Sequence, residues 1–217
     1  MKWFWFLCIG FLSCGQKSSP AGQENQDSSF RANNGNKSTD TANKTLTPVN
    51  ASQLIVPGEG IGKIWLGTEA SNLGALLGPP AMSDAAMGKA WLTWKGKRDE
   101  HNNAAELNVF TAYKDDSLQQ KTVQQIRTTS PAFSTAGGLH VYSTLEAIRA
   151  EFPGMKKRAQ YNEDGRDIVI YDAQQEGIAF ELATANEQQI CTGILIYPKG
   201  KDVTHWYRLL HPGMQLY

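Results

Sequence analysis

The sequence predicts an α+β fold built from two tandem repeats, each a short helix packed on a three- to four-stranded antiparallel sheet. Three observations predict it. Gly62-Lys-Ile-Trp-Leu-Gly-Thr68 aligns with Gly137-Gly-Leu-His-Val-Tyr-Ser143 at a constant offset of 75 residues. A short run of apolar residues at helical spacing follows each copy. Period-two stretches rich in β-branched and aromatic residues then follow each helix.

In the first half, Thr68 offers a side-chain oxygen to an unpaired amide of the first helical turn. Ala70, Leu73 and Leu77 give the apolar stripe, and Gly78-Pro79-Pro80 stops the helix. Ser143 takes the same role in the second half, where Ser143-Thr-Leu-Glu146 has capping-box spacing. Leu145, Ile148 and Phe152 form that stripe, and Pro153-Gly154 ends it. Strands are expected over residues 90–94, 106–113 and 122–127, with residues 97–105 a solvated loop. The second half matches them with strands starting near Arg158 and over residues 167–171, 177–182 and 190–197. Leu107 and Val109 share one face, as do Ile178 and Phe180, and Asp164-Gly165 makes a tight turn. The repeats thus occupy residues 53–130 and 131–200, followed by a tail over 201–217 in which Val203, Trp206, Leu209 and Leu210 recur at helical spacing. One helix on one sheet leaves an incomplete core, so the two copies share or stack their layers.

The start of the chain carries a different signal. Lys2 precedes an apolar run over residues 3–12 that is too short to span a bilayer, and a polar segment follows. Phe11-Leu-Ser-Cys14 resembles the lipobox of bacterial lipoproteins, with Phe11 in place of the usual Leu. That resemblance implies cleavage of residues 1–13 and lipid on Cys14, hence a membrane partner through the lipid. It places the protein in the bacterial cell envelope, expected at the outer membrane. Residues 14–52, rich in Ser, Asn, Gln, Thr and Gly, cannot bury enough apolar surface to offset the entropy of ordering. They read as a disordered tether with an end-to-end distance of roughly 30–36 Å. Asn36, Asn43 and Asn50 begin Asn-x-Ser/Thr triplets, which Asn-rich linkers produce by chance, and Asp40-Thr41-Ala42 resembles a bacterial O-glycosylation acceptor.

Composition narrows the partners. The formal charge is +0 and no basic stripe is visible, which argues against nucleic acid. With Cys8 lost in the signal and Cys14 acylated, Cys191 has no disulfide partner and reads as a small buried hydrophobe.

A Ser or Thr cap, a helix closing in Leu77-Gly78-Pro79-Pro80 and a following β-meander are similar to the SmpA/OmlA-type domain, over about residues 57–198. That family includes the small lipoprotein of the outer-membrane barrel-assembly machinery and, in tandem, β-lactamase inhibitor protein. The second copy departs from it, with Phe152-Pro153-Gly154 at the same place. The resemblance implies an α+β meander and binding of other proteins rather than catalysis. It transfers no site residue.

No catalytic or metal constellation stands out. His101, His140, His205 and His211 lack zinc spacing. Ser130, Ser134 and Ser143 fall on turns or caps, outside any nucleophile elbow. Asn162-Glu-Asp-Gly165 lacks the remaining ligands of a calcium loop, and Gly58-Glu-Gly-Ile-Gly62 lacks the Lys of a phosphate loop. No cofactor is expected. The aromatics Trp65, Trp91, Trp94, Tyr113, Tyr171, Trp206 and Tyr207 either fill the core or present a contact face. Trp91 and Trp94 have opposite parity, and Trp94 with Phe110 is the expected outward pair. The resulting expectation is a lipid-anchored, non-catalytic protein that binds another protein or a glycan or other cell-wall component. An envelope hydrolase with an unrecognised site, and a small-ligand binder with a pocket between the repeats, remain as alternatives.

Overall fold

A computed structural model of the chain describes residues 50–98, 103–114 and 118–217. The signal, Cys14 and all but the end of the tether lie outside the described residues, as does His101. Asn50 opens the fold, its side chain accepting from the Ser52 amide at 3.0 Å.

The elements follow in chain order. Strands β1 (Leu54–Val56), β2 (Gly60–Ile61) and β3 (Ile64–Trp65) precede helix α1 (Leu73–Leu77). Strands β4 (Met82–Ala86), β5 (Lys89–Arg98), β6 (Ala104–Tyr113) and β7 (Lys121–Thr128) form a first meander. After β8 (Ser134–Thr135) and α2 (Leu145–Glu151) come β9 (Lys156–Glu163), β10 (Arg166–Ala173), β11 (Ile178–Ala185) and β12 (Gln188–Ile196). The chain closes with α3 (Thr204–Tyr207) and β13 (Gln215–Leu216). The fold is mostly β, of α+β class.

A nine-stranded antiparallel sheet runs in the order β13-β9-β10-β11-β12-β7-β6-β5-β4, beside a four-stranded mixed sheet β3-β2-β1-β8. The last strands of the two meanders pair with each other, Arg127 opposite Leu195 between Ile126–Ile196 and Thr128–Ile194. The halves therefore merge edge to edge into one sheet rather than stacking as two layers.

Two equal repeats are not what results. The small sheet takes β1–β3 from before α1 but only β8 from before α2, and α3 and β13 extend the second half alone. The internal repeat survives locally. Gly67 and Thr68 bond to both backbone groups of Val123, and Tyr142 and Ser143 bond to those of Cys191 in the same way. Cys191 thus occupies the place of a valine and is wholly buried.

The helix starts lie one residue beyond the expected caps. Thr144, not Ser143, accepts from the Ala147 amide at 3.2 Å, while the Ser143 hydroxyl accepts from the His140 amide. In the first half a 3-10 turn, Ala70–Asn72, leads into α1 with no side-chain cap. Asp164 and Gly165 both have positive φ, and the Asn162 side chain accepts from the Gly165 amide, so this segment is a hairpin turn.

Each face of the large sheet carries its own core. Leu73 of α1, Ile148 of α2 and Ile55, Ile61 and Ile64 of the small sheet pack with Val109, Val123, Ile126 and Phe180 on one face. The other face is covered by the tail, whose Val203, Tyr207 and Met214 pack with Trp91, Phe110, Tyr161, Ile168 and Leu195. The expected tail helix shortens to the single turn of α3, leaving Leu209 exposed.

Candidate functional site

The expected outward pair does not form a surface. Trp91 lies opposite Phe110 and Trp94 opposite Leu107, so Trp94 and Phe110 fall on opposite faces of the sheet. Phe110 is 1% exposed, stacked on Trp206 with ring centroids 4.9 Å apart. Trp94 is half-buried against the helical face and donates its indole N–H to the Gly78 carbonyl at 3.0 Å. The parity argument for Trp91 and Trp94 holds, but the tail covers the face that was expected to be open.

Beneath that tail lies a buried polar network that joins the halves. Arg127 on β7 reaches across β12 to Glu181 on β11, with Nη2 2.8 Å from Oε2 and Nε 3.1 Å from Oε1. The crossing is possible because Gly193 stands between them; a Cβ there would lie 2.0 Å from Glu181 Oε2. Asn108 accepts from Arg127 Nη1 at 2.9 Å and donates to the Thr93 hydroxyl at 3.0 Å. Tyr161 donates to Glu181 at 3.1 Å, and Tyr207 of α3 donates to the same oxygen. His211 Nε2 is 3.0 Å from the Tyr207 hydroxyl, and its ring stacks on Tyr161 at 3.9 Å.

The charges of this network are set by burial against pairing. Burial alone would neutralise Glu181, but Arg127 and the hydrogen bonds from Arg127 and Tyr207 hold its carboxyl below the ordinary range. Burial likewise opposes the Arg127 charge, and Glu181 more than restores it. His211 is driven down to about 4 by burial, with Arg127 adding to the effect and Glu181 opposing it, so it is neutral at pH 7. Burial raises the hydroxyls of Tyr161 and Tyr207 and the Cys191 thiol, which makes each a poor nucleophile.

At one end of this network the sheet opens into a cleft of about 320 Å³ where the two halves meet. Glu106 and Thr129 line it from the first meander, Glu163 and Arg166 from the β9–β10 hairpin, and Arg127 lies among them. Glu163 and Arg166 sit directly opposite each other in the hairpin register. Burial raises the Glu163 carboxyl above its ordinary value, and Arg127 partly offsets this.

Tyr142 lines the same cleft and marks it as built. Its φ is +86°, a left-handed conformation in which an aromatic residue is strained by about 1–3 kcal/mol. Gly67, which makes the equivalent backbone bond in the first half, has a φ of +81° and needs no such strain. The Tyr142 hydroxyl accepts from Asn103 Nδ2 at 2.9 Å.

The other residues singled out in sequence do not converge. His140 has its Nδ1 on the Val141 carbonyl, and His205 is exposed against Trp206. Among the described residues no group of three or more His, Cys, Asp or Glu side chains is placed to hold a metal, and no Ser, Thr or Cys side chain is hydrogen-bonded to a His ring. Arg127, Glu181 and Tyr142 escaped the motif-based reading, although each had a signal. Glu181 is the lone charge of the apolar strand β11, Arg127 follows Ile126 near the end of β7, and Tyr142 stands where the offset-75 repeat has Gly67.

No family model matches the chain, and no curated protein matches it. Among solved structures it is distantly similar to YjgB, a DUF4309 family protein from Bacillus subtilis. The match has 12% identity, covers 65% of this chain and 88% of that one, and has a TM-score of 0.39. It is also similar to the uncharacterized protein yfeY from Escherichia coli, with 12% identity over 65% of this chain and 98% of that one and a TM-score of 0.36. The likeness is one of structure and assigns no family.

Proposed function

We propose that this chain is a lipid-anchored, non-catalytic protein of the bacterial envelope, tandem and SmpA/OmlA-like in its ancestry. In this reading it binds another protein or a cell-wall component through the cleft between its two meanders. The observation that carries the reading is Tyr142, held in a strained conformation at the wall of a cleft lined by charges of both signs. Strain of this kind persists where the surroundings enforce it, and it collects at binding sites.

The ionisable groups favour binding over hydrolysis. The buried acid Glu181 is already neutralised by Arg127, and the neutral His211 faces a tyrosine rather than a nucleophile. A photoreactive side chain at Thr129 in living cells tests the proposal. It is expected to capture a protein or a cell-wall fragment, with the same group at the remote, exposed Met87 as the control. An adduct pattern identical at both positions would overturn it.

A further inference from the structure

The cleft also indicates what kind of ligand it takes. Glu163 and Arg166 face each other across the last rung of the β9–β10 hairpin, yet among the described residues neither makes an ion pair. Opposite charges at directly facing positions of a hairpin attract, and their pairing is worth a fraction of a kcal/mol. Here Arg166 acts on the Glu163 carboxyl through space without forming an ion pair, and both line one cleft. Arg98, Glu106, Asp164 and Arg127 line the same cleft, and Arg127 already gives three of its five N–H groups to Glu181 and Asn108. The Glu163 carboxylate is partly stripped of water, so a cation that reached it would restore the solvation it has lost. Arg166 is exposed and presents a planar guanidinium, which suits a carboxylate. The uncharged lining comes from Asn103, Ala104, Thr129, Val141, Tyr142 and Thr192. They suit a short polar body with a small apolar surface.

We propose that this cleft binds a zwitterionic solute of amino-acid to short-peptide size. Glu163 receives its ammonium group, Arg166 receives its carboxylate, and Tyr142 packs against the stretch between them. The inference rests on the reading of the chain as a non-catalytic binding protein and names the ligand class of that same cleft. A volume of about 320 Å³ is at the small end of the usual range for ligand sites, which gives room for a dipeptide or for the free end of a longer peptide chain.

Calorimetry with the purified full-length chain in detergent tests it, using L-alanyl-L-alanine, its N-acetylated form and its C-terminal amide. The zwitterion is expected to bind, and each capped form to bind at least about tenfold more weakly, as loss of one charge-assisted hydrogen bond predicts. Glu163→Gln is expected to abolish discrimination against the acetylated form alone, and Arg166→Gln discrimination against the amide alone. Both residues lie at a solvated hairpin end, and near-UV circular dichroism checks that the variants keep the fold. Equal affinity for the three forms, or discrimination that survives both substitutions, overturns the proposal. If no form binds while Thr129 still captures a partner in cells, the ligand class is wrong and the binding reading stands. If Thr129 captures nothing as well, both fall.

Discussion

Gly193→Ala is the most direct probe of the network that joins the halves. The added Cβ would lie 2.0 Å from Glu181 Oε2 and 2.9 Å from its Cδ, far inside contact distance. Glu181 cannot simply swing aside, because Arg127 grips both of its oxygens and Tyr161 and Tyr207 donate to one of them. Moving it leaves a buried guanidinium without its counterion, a loss of about 3–5 kcal/mol. The φ of Gly193 is not in the left-handed region, so alanine returns about 0.4–1 kcal/mol by restricting the unfolded chain. The net expectation is a loss of about 2–4 kcal/mol, or roughly 5–15 °C in Tm for a domain of this size. Urea unfolding followed by tryptophan fluorescence reads it. In a Glu181→Ala background the same substitution should cost almost nothing further, because the atom it strikes is gone. A single Gly193→Ala variant within 1 kcal/mol of the parent, about the effect expected at an unobstructed glycine, would refute the reasoning.

Other consequences are as direct. Cys14→Ser should leave the domain folded but move it from the membrane fraction to the soluble one, and unchanged membrane association would sink the lipid anchor. Tyr142→Gly removes both the left-handed strain and the half-buried ring, so stability should change by less than about 1 kcal/mol, whereas dipeptide affinity should fall. Across pH 4 to 6.5 two groups act in opposite senses. His211 falls from 6.5 to about 4 on folding, so its contribution to stability is lost as pH drops through that window. Asp172 rises from 3.8 to about 6, through burial opposed by the Tyr197 hydrogen bond and Arg158, so its contribution is lost as pH rises through the same window. After allowance for solvent screening at both sites, each is worth about 2–3 kcal/mol. Relative to the parent, His211→Gln should therefore lose stability from pH 4 to 6, and Asp172→Asn should gain it. Parallel pH profiles for parent and variants would contradict both assignments.

How much was legible in the sequence follows from which residues obey local rules. The strands of both meanders could be read because Leu107, Val109, Ile178 and Phe180 alternate against a single apolar face. Strand β4 could not, since Met82–Ala86 is exposed along its whole length and carries no burial pattern. The small sheet was equally silent, its strands being only two or three residues long. Phe110 misled for a tertiary reason. Its parity is correct, but nothing local says that Val203, Trp206 and Tyr207 fold back over it. The cleft was invisible because Glu106, Thr129, Tyr142 and Glu163 come from four separate stretches of chain.

The candidate site arises where the halves stop resembling each other. Val123 and Cys191 occupy matching places at the starts of the two terminal strands. Two residues on, past a bulge in each ladder, the first half has Gln125 opposite Phe110 and the second has Gly193 opposite Glu181. Two further on, Arg127 of one half faces Leu195 of the other across the seam. A symmetric pair of apolar halves would have put aromatic and aliphatic side chains at all of these positions and closed the seam completely. The sequence instead places an arginine in one half, a carboxylate in the other, and a glycine where their bond must cross. That exchange is poor as a source of stability, because replacing a buried ion pair with packed apolar groups is often neutral or favourable. What it gains is a charged floor at the mouth of the seam, reached by Glu163, Arg166 and the strained Tyr142. Replacing Arg127 with Met and Glu181 with Leu together should thus keep or raise stability while removing that floor, separating what holds the halves together from what the cleft between them is for.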